Sequence, residues 1–192
     1  LSDKTNTSQN YILGVKDPFF NPDLPACNYS YPAVECEINK LGTVADPLND
    51  LFDAGAYEVY NRSTVEGPDG DEISFDDMVL EARRNVYQGW YRELQYEVGV
   101  PSERVVNKGA VLGGVLLMPT FKPDTDPCRA GGSSRLFGVY YETGTAFFRK
   151  IFNEDPGEGP VLDVIDLGDG IASSLSMHSG RQQGGKVYVQ KS

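Results

Sequence analysis

Carboxylates dominate the chemistry this sequence can offer: 28 Asp and Glu stand against 17 Lys and Arg and one His. The densest run is "EGPDGDEISFDD", residues 66–77. Asp69 and Asp71 flank Gly70 at the alternate-residue spacing with which calcium loops place oxygen ligands, and Asp76 follows. Calcium at Asp69, Asp71 and Asp76 is therefore the one metal expectation, and no other cofactor is expected. An EF-type loop would want an acidic residue near position five, a Gly at six and a Glu at twelve. Ile73, Ser74 and Leu80 occupy those positions instead. The same run also reads as a turn before a helix, with Asp76 and Asp77 at the positive end of the helix dipole. "DTD" at 124–126 and "DLGDG" at 166–170 read as Asp-rich turns. One His and three scattered Cys do not suit a four-ligand zinc site.

A Ser-His-Asp triad would have to use His178, in "SLSMHSGRQ". Ser173, Ser174, Ser176 and Ser179 are only sequence neighbours, and no G-x-S-x-G elbow occurs. The expectation is a surface histidine at a hairpin end and no catalytic residue. For glycoside hydrolysis, nothing in the sequence sets two carboxylates at a working separation. Trp90, Tyr91, Tyr140 and Tyr141 either line a ligand face or, as such residues more often do, fill the space between blades. Cys27 and Cys36 bracket a Pro- and Tyr-rich loop without metal-ligand neighbours, which predicts a local disulfide and an oxidising compartment. Cys128 reads as a small buried residue in a turn.

The 192 residues suffice for one domain with a sizeable core. A net charge of −11 disfavours nucleic acid and anionic membranes as partners, since both repel it. The longest apolar runs are far shorter than the about 20 residues a membrane-spanning helix needs. The chain opens "LSDKTNTSQNYILGVKD" without an initiator Met or a signal peptide, and reads as a mature product or a piece of something longer.

Short runs rich in Val, Tyr and Phe, bounded by Gly, Pro or Asp, must position these residues, and such runs are strands. "RVVNKGAVL" (104–112) reads as one strand, Gly113-Gly114 as a two-residue hairpin turn, and "VLLMPTF" as the second strand. "RLFGVYY", the turn "ETGT" and "AFFRKIF" complete a four-stranded meander of the size of a propeller blade. "GIASSLSMHSG" and "GGKVYVQ" resemble the first two strands of a second copy, with Gly184-Gly185 in the turn position. "NYILGVKD" reads as a strand with no partner before it. One helix is expected over 74–89, with Ser74 and Asp77 as a capping box, Phe75, Val79, Ala82 and Val86 at helical spacing, and Gly89 as the stop. Residues 18–53, with five prolines, read as an irregular insertion stapled by Cys27 and Cys36. The fold class expected is mainly β: a partial β-propeller of about two four-stranded antiparallel blades plus orphan strands, with one inserted helix.

Five spaced motifs then occur in order: Gly89-Trp90-Tyr91, Glu103-Arg104-Val105-Val106, Asp126-Pro127-Cys128, Gly131-Gly132-Ser133 and Thr143-Gly144. With "NYILGVKD" ahead of them, they resemble the C-terminal domain of PilY-type type IV pilus biogenesis proteins. The resemblance covers residues 10–17 and 88–192, and the insertion at 18–53 departs from it. It implies a modified β-propeller, secreted and cell-surface located, acting in pilus assembly, surface adhesion and twitching motility. Many members bind calcium through an Asp-rich loop that has no clear match here. Pilin or minor pilins would be partners. Counting strands, the chain falls short of a closed propeller, so a further partner is expected: the N-terminal remainder of the same precursor, or a separately encoded chain. The competing expectation is a carbohydrate-binding or glycoside-hydrolysing extracellular propeller.

Overall fold

Two glycines set the register of the largest sheet. Gly113 and Gly114 have φ of 60° and 85°, the left-handed backbone of a tight primed turn that only Gly adopts freely. The turn brings Leu112 opposite Val115 and joins β8 (Ala110–Leu112) to β9 (Val115–Pro123). The computed structural model describes residues 6–16, 48–84, 86–126, 131–153, 157–180 and 184–190.

β10 (Gly132–Tyr140) pairs antiparallel with β9 along its whole length, and β11 (Val164–Asp169) pairs with β10. β7 (Arg104–Val105) joins the far edge, giving the order β11-β10-β9-β7 with β8 also on β9. The expected single strand over 104–112 is thus broken. Arg104 faces Phe121 and Ala110 faces Leu117, so six residue steps oppose four. Asn107 uses the break to donate to the carbonyl of Ala172 (2.5 Å).

"AFFRKIF" is not the fourth strand. Its apolar residues do not alternate, and they cover the sheet instead of extending it. The rings of Phe147 and Phe148 lie 6.1 and 5.1 Å from that of Phe75, and Ile151 and Phe152 pack over Val115, Leu117 and Leu136. The fourth row is β11, which the sequence presents as an Asp-rich turn. A local turn does exist inside it: Asp166 Oδ1 accepts from Gly168 N (2.6 Å) where the register slips opposite Ser134 and Arg135. The sheet is packed on both faces, with Phe137 and Val139 in the main core and Val115, Leu117 and Leu136 in a smaller one. That accounts for the nearly continuous apolar run of β9.

β1 (Tyr11–Val15) has a partner, contrary to the expectation of an orphan strand: it pairs antiparallel with β6 (Gly89–Glu93). β2 (Phe52–Asp53) runs parallel to β6 on the other side. Leu51 and Phe52 are buried, so the end of the expected insertion belongs to the core; residues 18–47 lie outside the described part.

A third sheet holds the two-residue strands β3 (Glu58–Val59), β4 (Val65–Glu66) and β5 (Glu72–Ile73). It leads into α1 (Phe75–Ala82), capped by Ser74, whose Oγ accepts from Asp77 N (3.1 Å). The helix stops well before Gly89. Past Ala82 the chain tightens, with Arg84 N on Glu81 O, Tyr87 N on Arg84 O and Gln88 N on Asp50 O. This sets the Tyr87 ring edge-on to Phe52 at 5.6 Å and delivers Gly89 as the first residue of β6. Phe75, Met78, Val79 and Ala82 form the buried stripe, and Val86 is exposed.

β12 (Ser176–Gly180) and β13 (Gly184–Tyr188) make a separate two-stranded hairpin. Gly180 faces Gly184, so Gly184-Gly185 lies in the strand and not in the turn. The second four-stranded blade is therefore not found among the described residues. The architecture is mainly β, with one four-row meander, smaller sheets and one α-helix, and the described strands close no barrel.

Candidate functional site

Glu103 precedes β7 and is 1% exposed, a position where a carboxylate persists only if its oxygens are satisfied. Four donors converge on it. Arg135, on β10, donates Nε to Oε1 (2.9 Å) and Nη2 to Oε2, a bidentate pair. Thr120 Oγ1, on β9, donates to Oε1, and Gln95 N donates to Oε2 (2.8 Å). The Glu103 carbonyl accepts from Asn10 Nδ2 (2.8 Å), just ahead of β1. Burial pushes the carboxyl pKa up, but the bonds from Arg135, Thr120 and Gln95 outweigh it and hold it below the usual carboxylate value. A carboxylate so saturated and so stabilised in its charged form has no lone pair left to take a proton from a substrate. It fastens the N-terminal strand, the segment 94–104 and the main sheet together. The neighbouring Arg104 donates to the carbonyls of Ser102 (3.1 Å) and Asn6 (3.3 Å).

Trp90 makes the second junction. It lies on β6 opposite Gly14 of β1, and its Nε1 donates to the carbonyl of Tyr141 (2.8 Å) in the turn after β10. Both glycines it touches are required by space: a Cβ at Gly14 or at Gly144 would lie 2.2 Å from indole carbons. Beside it Glu142 accepts from Tyr140 OH (2.7 Å) and from Arg83 Nη2 (2.6 Å), tying the end of α1 to the turn. Burial pushes Glu142 up, while Tyr140 and Arg83 pull it further down, leaving it below its ordinary value. Tyr91, whose hydroxyl bonds Asp53, is pushed up to about 12, first by burial and then by that carboxylate.

The residues read as candidate ligands are not brought together. Asp69 and Asp71 sit in the β4–β5 turn, closed by Gly67 N on Asp71 O (2.9 Å). Asp76 is on α1, ion-paired with Arg62 (3.0 Å), and Asp77 is bonded to Ser74. Among the described residues no group of three His, Cys, Asp or Glu is placed to hold a metal ion. His178 is an exposed β12 residue facing Lys186. The aromatics divide: Trp90 and Tyr91 are buried, while Tyr140 packs with Phe75 and Phe147 and Tyr141 is half-exposed. Asp124 is part of a local turn, accepting from Asp126 N (3.1 Å). Cys27, Cys36 and Cys128 lie outside the described residues, and so does the predicted disulfide.

What sequence reasoning missed is the buried carboxylate. "PSERVV" shows a charged residue beside an apolar pair, which is ordinary for a strand end. Its partners, Thr120 and Arg135, are remote in sequence. The only signal was that Glu103 and Trp90 both fall within the ordered motifs.

No family model matches the chain, and no curated protein matches it. Among solved structures it is similar to the crystal structure of the Pseudomonas aeruginosa PilY1 C-terminal domain, with a TM-score of 0.49 and 12% identity over 98% of this chain. The chain spans 37% of the length of that chain.

Proposed function

We propose that this chain is a non-enzymatic structural and adhesive module of a type IV pilus-associated extracellular protein, acting in pilus assembly and surface attachment. One observation carries the reading. Two of the five motifs on which the resemblance rests, Gly89-Trp90-Tyr91 and Thr143-Gly144, meet in space, and the Glu103-Arg104-Val105-Val106 motif is tied to the strand that carries Gly132-Ser133. Trp90 of Gly89-Trp90-Tyr91 packs on Gly144 of Thr143-Gly144, and also on Gly14 of "NYILGVKD". Glu103 of the second motif is held by Arg135, two residues past the Gly131-Gly132-Ser133 motif. Motifs so joined act as one structural unit, and it is their resemblance to those of PilY-type pilus proteins that supports the reading. On this reading the module works outside the cytoplasm and completes its architecture with the rest of a precursor or with another chain.

The test is genetic and cellular. Deleting the coding segment in the source organism is expected to reduce surface piliation and attachment, with restoration by the wild-type segment. A double variant that weakens both junctions, Glu103→Ala with Gly144→Ala, is expected not to restore them. Unchanged piliation and attachment after deletion would sink the proposal. So would turnover of a polysaccharide by the purified chain, which belongs to the glycan-acting alternative.

A further inference from the structure

β1 is paired with β6 on one side and, among the described residues, with nothing on the other. The register states which groups face that open side. Leu94 N donates to Asn10 O (3.0 Å) and Lys16 N donates to Gln88 O (2.9 Å). Residues 10 and 16, and with them Ile12 and Gly14, therefore turn their backbone groups to β6. In an antiparallel pair the residues between them point the other way. Tyr11, Leu13 and Val15 thus hold their N–H and C=O groups toward open space. The same three residues carry the side chains of the face opposite Ile12, and Leu13 and Val15 are 53% and 57% exposed.

Other long edges of the molecule are guarded. β11 carries Asp166 and Asp169 and a register break. β7 and β8 are interrupted between Val105 and Ala110, with Arg104 on the first. The β12–β13 hairpin carries His178 and Lys186. β2, β3 and β5 are two residues long. β1 has no charge, no proline and no register break from Tyr11 to Val15. An edge lacking those protective devices is a template for strand addition.

We propose that β1 takes a fourth strand from another polypeptide: an extended segment of at least five residues, neutral or basic, with apolar side chains beside Leu13 and Val15. Charge decides against a second copy of this chain. Each copy carries −11, and a short strand pair would bring two such bodies together over a small area. A neutral or basic strand meets no such repulsion. The backbone of β1 supplies affinity through Tyr11, Leu13 and Val15, and the exposed side chains supply selectivity at alternate positions. The inference stands on the edge geometry; it gives the completing chain of the pilus reading a place to pair, but does not depend on that reading.

The probe is the fluorescein-labelled peptide KKVTVTVKK, titrated by anisotropy against the full 192-residue chain, with amide exchange followed by NMR. Saturable binding is expected, with at least tenfold slower exchange at Tyr11, Leu13 and Val15 and little change at Ile12 and Gly14. Leu13→Pro removes an outward-facing N–H and an exposed side chain but no bond to β6, and is expected to weaken binding tenfold or more with an unchanged urea midpoint. Leu13→Asp, which keeps the backbone donor, should weaken it also. Three results overturn the proposal: no slowing at the three outward amides, equal binding by both variants, or equal binding by KKVTPTVKK, which has the same charge but a broken strand. A sedimenting dimer that protects the same amides without any peptide overturns it too, since a second copy then covers the edge. None of these outcomes bears on cell attachment, so the two readings fail separately.

Discussion

Glu103 accepts four hydrogen bonds on two oxygens, and its removal leaves Arg135 without its anion in a largely enclosed place. Breaking one side of such a pair costs roughly 3 to 5 kcal/mol, so Glu103→Ala should lower the urea midpoint strongly. The acid dependence follows from the directions of two shifts. Glu103 and Glu142 are both held below the ordinary carboxylate value when folded, so each contributes stability that is complete above the unfolded value. That stability is lost as pH falls through the lower, folded values. Thermal melts from pH 6 down to pH 2 are expected to show a steep acid limb, shallower in Glu103→Gln. An equal limb in the variant would show that this carboxylate is not a source of it. Glycine offers a second contrast. Gly144→Ala forces a Cβ into Trp90 at 2.2 Å and into a φ of 72°, and should cost about 2 to 4 kcal/mol, the crowding adding to the strain of the left-handed backbone. Gly70→Ala meets nothing within 4 Å and should cost about 1 kcal/mol, from its left-handed backbone alone. Equal losses at the two sites would refute the crowding at Trp90.

Between elements, the hairpin β12–β13 pairs with no other described strand; Val187 packs against the smaller core, and a short polar segment ahead of the hairpin adds hydrogen bonds. Ser134 Oγ accepts from Ala172 N (3.0 Å) and donates to Gly170 O (2.6 Å), while Asn107 holds Ala172 O. Asn107→Ala is expected to speed amide exchange across 176–188 with little change in β9 and β10. Uniform loss of protection would instead mean that the hairpin folds as one unit with the main sheet. The elements also divide by how legible they were. β9, its glycine turn and the core of β10 were plain because apolar runs and Gly113-Gly114 are local signals. The start of α1 was plain because Ser74 caps its own helix. The end of α1 was hidden, because a bond from Gln88 N to Asp50 O, remote in sequence, decides it. β11 was hidden because Asp166 and Gly168 make a turn within a strand. The exchange of roles between 146–152 and 164–169 follows from Phe147 and Phe148 finding Phe75, a contact no spacing announces. The acidic run was legible as a turn and helix start, but Arg62, which engages Asp76, comes from the loop after β3.

At the scale of the whole molecule, a charge of −11 works against compaction and salt screens it. Melting temperature should rise with sodium chloride. Calcium and magnesium at matched ionic strength should raise it equally, and chelator should leave it unchanged, because Asp76 is engaged by Arg62. A calcium-specific rise saturating below a millimolar would instead support the calcium site read at Asp69, Asp71 and Asp76. The junction at Glu103 has a further, mechanical meaning. The arm ahead of β1 is fastened at Asn6, whose carbonyl accepts from Ser102 N (3.0 Å) and from Arg104, and at Asn10, whose side chain holds Glu103 O. A pull on that arm does not reach β1 first. It loads the Asn6 and Asn10 fastenings, and through Glu103 and Arg135 it is passed into the nine-residue strand β10, an inner row of the largest sheet. Tension entering at one end is thereby carried by the part of the molecule with the most backbone bonds in parallel, and the edge strand is spared.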